Sequence, residues 1–205
     1  MALTIARTGF GQVEPNHLSA QRTAQIYAQL PAHIKATANG ADTIDILENG
    51  QFVKYDYANH EVNFTGAGEW MLVFNEVKLY DDKWRESYKD FAMIRTNYVP
   101  APNNAWDATL ATPAKTGSVG EMVPRVFKTN IGDIFTTNCI GVGNTSGKAT
   151  VGNVSLQVTD TLEVNSNGFL VKQPNSGAAT SFIWQVVEET TMPDGQPAVK
   201  IMRIA

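Results

Sequence analysis

The sequence predicts a mainly β fold: two small β-rich modules, sandwich- or barrel-like, with an extended N-terminal arm and one or two short helices. Three observations predict it. Runs of β-branched and aromatic residues follow one another from Val123 to Ile204. The gaps between them hold turn formers such as Asn167-Gly168 and Pro193-Asp194-Gly195. Helical signals are confined to two short stretches, His17 to Leu30 and Asp81 to Phe91. Strand composition punctuated by Gly, Asn, Asp and Pro is the signature of short strands joined by tight turns.

Residues 1–40 form the opening unit. Leu3 to Val13 is short of large apolar side chains and contains Gly9 and Gly11, so it reads as an arm. Pro15 and Asn16 then precede the Ala- and Gln-rich stretch from His17 to Leu30, which favours a helix and stops at Pro31. Such an arm either packs loosely on its own domain or reaches across a neighbouring subunit. Ile5, Phe10 and Tyr27 are its candidate interface anchors.

Residues 41–115 form a β-rich module with one helix and a Pro/Asn-rich linker. Ile44 to Glu48 and Gln51 to Tyr55 flank Asn49-Gly50, which suits a type I′ hairpin turn. Glu61 to Phe64 and Trp70 to Tyr80 are the next strands. Trp84, Tyr88 and Phe91 share a helical face in the second helix. Ala92 to Val99 returns to strand character, and Asn97 to Gly120 carries Pro100, Pro102 and Pro113 and reads as a linker. Trp106, inside that segment, is the tryptophan best placed to anchor a partner.

Residues 116–205 form a C-terminal β-barrel or sandwich module. Its strands are expected at Val126–Thr129, Ile134–Thr137, Val154–Val158, Leu162–Val164, Phe169–Val171, Phe182–Val187 and Val199–Ile204. Trp184 lies in an apolar run and is expected in the core, as is Cys139.

Composition excludes several classes. Charged residues are 18% of the chain and the net charge is -4, with no basic stripe, so a nucleic-acid groove is not expected. A single cysteine allows no internal disulfide. The stretch from Met1 to Thr8 lacks the apolar region of a secretory leader, and no run is long enough to cross a membrane as a helix. The expectation is a soluble protein made in a reducing compartment.

No catalytic or metal-binding pattern emerges. The loop Gly141 to Lys148 lacks the first P-loop glycine, since Val142 stands there, and Ala149 replaces the magnesium-binding hydroxyl. Ser146 occupies the third glycine of the dinucleotide fingerprint. His17, His33 and His60 all lie far in sequence from Cys139, and Glu188 and Glu189 point to opposite faces of a strand. No enzyme, cofactor or metal site is expected.

The run from Val123 to Asn138 (VPRVFKTNIGDIFTTN) resembles proteins encoded beside the capsid genes of tailed bacteriophages. So do the ending Gly195 to Ile204 (GQPAVKIMRI) and the opening Leu3 to Gly11 (LTIARTGFG). They are similar to virion structural proteins, most closely head decoration (capsid cement) proteins. The resemblance implies a non-enzymatic, often trimeric protein on the capsid exterior, made in the host cytoplasm. Its partner would be the major capsid protein, and it would strengthen the shell through many modest contacts acting together. Alternatives are a tail or neck component, or a carbohydrate-binding module using Trp106.

Overall fold

The computed structural model describes residues 2–6, 11–19, 32, 46–74, 93–95, 124–141, 154–173 and 181–205. Strand makes up 54% of them, and no helix is among the described elements. The mainly β prediction is therefore correct. Among the described residues there are fourteen strands: β1 (Leu3–Ile5), β2 (Val13–His17), β3 (Ile46–Glu48), β4 (Phe52–Asp56), β5 (Glu61–Asn63), β6 (Trp70–Val73) and β7 (Met93–Arg95) precede residue 100. The remainder are β8 (Val126–Lys128), β9 (Ile134–Thr137), β10 (Val154–Leu156), β11 (Thr161–Val164), β12 (Leu170–Lys172), β13 (Ile183–Thr191) and β14 (Pro197–Arg203).

Two sheets organise the molecule, and all their pairings are antiparallel. One has the order β12-β11-β13-β14-β9-β2, the other β5-β4-β6-β8. Two small pairs, β1 with β10 and β3 with β7, complete the described set. Alternation along the strands gives each sheet its inner face. Phe52, Leu72 and Phe127 of the four-stranded sheet join Phe135, Leu162, Leu170, Trp184 and Ile201 of the six-stranded sheet in one cluster. The two sheets thus pack face to face, in the manner of a sandwich. The alternate residues Val53, Val62, Met71, Val73 and Val126 point the other way and bury a second cluster with Leu47 and Ala32. The four-stranded sheet is covered on both faces.

The expected boundary near residue 115 lies outside the described residues. On either side of it the chain is interwoven: β8 pairs with β6, from Met71 opposite Lys128 to Val73 opposite Val126. The ring of Phe52 lies 5.5 Å from Phe182, edge-on.

The N-terminal residues differ from a free arm. Leu3, Thr4 and Ile5 pair with Leu156, Ser155 and Val154, and β2 forms one end of the six-stranded sheet against β9. Ile5 and Leu18 are core residues, and Leu3 and Val13 pack against the same cluster. Sparse apolar content concealed this, because backbone pairing needs few large side chains. The helix expected from His17 starts two residues later: His17 closes β2, with a register shift between Pro15 and His17, and Ser19 is helical. Pro15 lacks an N–H and is tolerated in a strand at the end of a sheet. The rest of that helix and the whole helix over Asp81 to Phe91 lie outside the described residues.

The hairpin predicted at Asn49-Gly50 is a turn without a hairpin. The Gln51 N–H donates to the Glu48 carbonyl (3.1 Å), closing the turn. Yet β3 pairs with β7 while β4 pairs with β5 and β6. A type I′ turn needs positive φ at both central residues. Only Gly50 has it (93°), since the non-glycine residues with positive φ are His60 and Thr159. One positive φ at the third position fits a type II turn, which splays its strands. The Gly50 N–H then donates to the Val73 carbonyl (3.0 Å), steering the chain toward β6. The turn at Pro193-Asp194-Gly195 does join a hairpin, β13 to β14, as predicted.

Candidate functional site

Among the described residues no group of three or more His, Cys, Asp or Glu side chains is placed to hold a metal ion. Cys139 and Trp184 are fully buried, as their sequence context predicted. His17 pairs at the Ile134 end of β9, whereas Cys139 follows its other end. His60 sits in an exposed turn. Ile5, at 1% exposure, belongs to the core and is not on the surface while β1 stays paired. Phe10, Tyr27 and Trp106 lie outside the described residues, as does the loop from Val142 to Lys148.

The exposed large apolar residues Tyr57, Ile131 and Ile204 are carried by segments at one end of the sandwich. The register shows why. Lys54 lies opposite both Asn63 and Trp70, and Met71 lies opposite Lys128. The turn after β4, the segment entering β6 and the turn after β8 therefore leave the four-stranded sheet at the same end. Neighbouring strands are about 4.8 Å apart, so β4 and β8, separated only by β6, are about 10 Å from one another.

Each of these turns is held from within. After β4, the Asp56 carboxylate accepts the Ala58 N–H (3.0 Å) and the Asn59 N–H (3.3 Å). It also accepts the Asn59 side-chain amide (3.0 Å) and the Asn63 side-chain amide (3.3 Å). These bonds, the Asn59 side chain foremost, hold the Asp56 carboxyl below its ordinary pKa. Tyr57, 57% exposed, stands on this turn with its ring edge-on to Tyr55 at 4.4 Å.

After β8, Asn130 to Asp133 form a second turn. The Asp133 N–H donates to the Asn130 carbonyl (3.0 Å), and Gly132 takes a φ of 91°. The buried Asp133 carboxylate accepts the Asn130 N–H (2.8 Å), the Ser19 N–H (3.0 Å) and the Ser19 hydroxyl. Arg203 of β14 braces the same turn. Its carbonyl accepts the Gly132 N–H (2.9 Å) and its N–H donates to the Asp133 carbonyl (2.9 Å). Its guanidinium donates to the Thr129 carbonyl and lies 4.2 Å from the centre of the Phe182 ring. Burial lowers the Arg203 pKa, opposed by the charges of Glu69 and Asp133.

The result is a fixed turn that presents Ile131 at 70% exposure. Ile204, the residue after Arg203, is 37% exposed beside it. Between these and Tyr57 lie charged groups with partners inside the chain. The Lys128 ammonium pairs with Glu69 (3.0 Å), and the Lys54 ammonium lies 4.8 Å from the Trp70 ring centre. An exposed Val158 lies elsewhere: the Thr159 N–H meets the Val186 carbonyl, three residues along β13 from Ile183, which pairs with Ile204. Those three residues span about 10 Å.

Sequence reasoning missed Tyr57, Ile131 and Ile204. One signal existed for Ile131: an aliphatic side chain in the turn sequence Asn130-Ile131-Gly132-Asp133, where polar residues are usual. No protein-family model matches the chain, and no curated protein and no solved structure shows significant similarity to it.

Proposed function

We propose that this chain is a non-enzymatic structural protein of a bacteriophage virion, one that binds the outer surface of the capsid and stabilises the shell. The observation that carries the reading is where the phage-like runs fall in the fold. Pro124 to Asn138 supplies β8, β9 and the turn that carries Ile131. Gly195 to Ile204 supplies β14, whose Arg203 braces that turn. Two of the three segments that resemble decoration proteins thus build the joint between the two sheets, and the third begins with β1, which pairs with β10.

The physics suits the role. A sandwich of short antiparallel strands is a stiff body on which surface contacts are preorganised, so little entropy is lost on docking. The partner is the major capsid protein, and copies of this chain associate with one another, as trimers. Repetition over a lattice lets individually modest contacts hold firmly. No cofactor, nucleic acid or membrane enters the reading.

Mixing the purified protein with undecorated shells tests it. The protein sediments with the shells; protein left in the supernatant at saturating shell concentration overturns the proposal. Immunogold labelling of virions places the protein on the head, and label at the neck or tail assigns it to those structures instead.

A further inference from the structure

We propose that Asn167-Gly168 is a gated self-modification site. Asn167 deamidates only once its joint to Gln51 and Phe52 has opened, and the isoaspartate formed there keeps that joint from closing again. A transient opening of the sandwich thus becomes permanent. The proposal stands apart from the capsid-binding reading and does not depend on it.

The chemistry needs only the chain and water. The Gly168 amide nitrogen gives its proton to a base in solvent and attacks Cγ of Asn167. The bond from Cγ to the side-chain nitrogen breaks, and ammonia leaves with a proton returned from solvent. Water then opens the succinimide ring. Cleavage at Cγ gives aspartate and restores the original main chain. Cleavage at the main-chain carbonyl gives isoaspartate, whose main chain runs through Cβ and Cγ and is longer by a carbon. Glycine suits this ring closure because it has no Cβ to crowd the ring.

Three observations carry the gate. First, the attacking nitrogen is tied. The Gly168 N–H donates to the Asn165 carbonyl (3.1 Å), and the Asn165 side chain accepts the Asn167 N–H (2.9 Å). An amide bonded in this way loses its proton only when the bond opens, the condition that also governs hydrogen exchange.

Second, the peptide that would rearrange is clamped from the other sheet. The Gln51 side-chain amide donates to the Asn167 carbonyl (3.2 Å), and the Phe52 N–H donates to the Gly168 carbonyl (2.7 Å). Gln51 is 2% exposed, and the Phe52 ring sits in the core shared by both sheets. Freeing the Asn167-Gly168 turn therefore means opening the joint between the sheets.

Third, the closed joint has no room for a longer main chain. Gly168 takes a φ of 77°, and a Cβ built on it would lie 2.1 Å from the Phe52 carbonyl oxygen and 2.8 Å from the Phe64 ring. The turn at Asp194-Gly195 shows the contrast, since a Cβ on Gly195 meets nothing within 4 Å. An extra carbon just before Gly168 displaces atoms that are already in contact with the opposite sheet.

The test follows the wild-type chain at mildly alkaline pH without urea, in urea below the unfolding transition and in urea above it. Peptide mapping by mass spectrometry reads aspartate and isoaspartate at position 167. Deamidation of Asn167 in the folded protein is at least about tenfold slower than above the transition, and its rate rises with the unfolded fraction. A folded-state rate less than about tenfold below the unfolded rate overturns the gate. Chains aged above the transition are then diluted out of urea, and the soluble refolded fraction is isolated by size exclusion. Aspartate at 167 keeps the main-chain length and serves as the internal control. The ratio of isoaspartate to aspartate is at least about fivefold lower in the refolded fraction than in the aged pool. Equal ratios overturn the claim that the product bars closure.

Discussion

Phe52 of β4 and Trp184 of β13 meet at 5.8 Å between ring centres, tilted by 51°. Through this contact a residue from the first third of the chain and one from its last part share one core. Both are fully buried, and Phe135 meets the same indole edge-on at 5.0 Å. Phe52→Ala removes a ring from the middle of this group and leaves a cavity between the sheets. Its expected cost is about 3–5 kcal/mol, measured by urea unfolding with the wild type as reference. Because the cluster spans both sheets, fluorescence and far-ultraviolet circular dichroism should report one coincident transition.

Gly168 is the second point at which the sheets are joined. Its carbonyl accepts the Phe52 N–H at 2.7 Å, and it adopts a φ of 77°. A Cβ added there would lie 2.1 Å from the Phe52 carbonyl oxygen. Gly168→Ala thus adds left-handed strain to a backbone collision, and a loss of about 3 kcal/mol is expected in the same unfolding assay. A loss under about 1 kcal/mol contradicts this close approach.

The turn after β4 should be acid-sensitive. Asp56 is held below its ordinary value of 3.8, chiefly by the Asn59 side-chain amide. A carboxyl whose pKa is lower folded than unfolded binds fewer protons in the folded state. Its contribution is complete above the unfolded value near 3.8 and is lost as pH falls through the lower folded value. Asp56→Asn removes this ionisation. Compared at neutral pH and at acid pH, the wild type loses more stability than the variant. Equal losses contradict the assignment.

Glu163 carries a buried oxygen without a partner. One carboxylate oxygen accepts the Gln173 amide at 3.1 Å, while the other, Oε1, is buried and makes no hydrogen bond. An acceptor buried without a donor is costly, and the Gln173 amide is the donor that meets the other oxygen. Gln173→Ala removes it, so it should lower stability by about 1 kcal/mol. Thermal melts of the two proteins decide the sign.

The sequence made the strands legible and their partners illegible. Every strand expected after residue 120 is found, because alternation and turn residues are local signals written in the chain itself. Trp184 was recognised as core because apolar neighbours surround it on its own strand. Pairing depends on residues far apart, and two readings failed there. Asn49-Gly50 carries hairpin composition, but only Gly50 has positive φ and Val73 takes the backbone bond that diverts the chain. The opening residues lack bulk, yet β1 and β2 are tied into the fold by main-chain pairing and by side chains such as Asn138, which accepts the Gln12 N–H at 2.8 Å. The apolar end was invisible for a related reason. Tyr57 and Ile131 follow strands that only the register brings to the same end of the four-stranded sheet, and Ile204 follows Arg203, whose backbone bonds the turn that carries Ile131.

Cryo-electron microscopy of shells incubated with the protein tests the central claim most directly. Density is predicted on the outer surface of the shell at repeated lattice positions. Bare shells at saturating protein would contradict it.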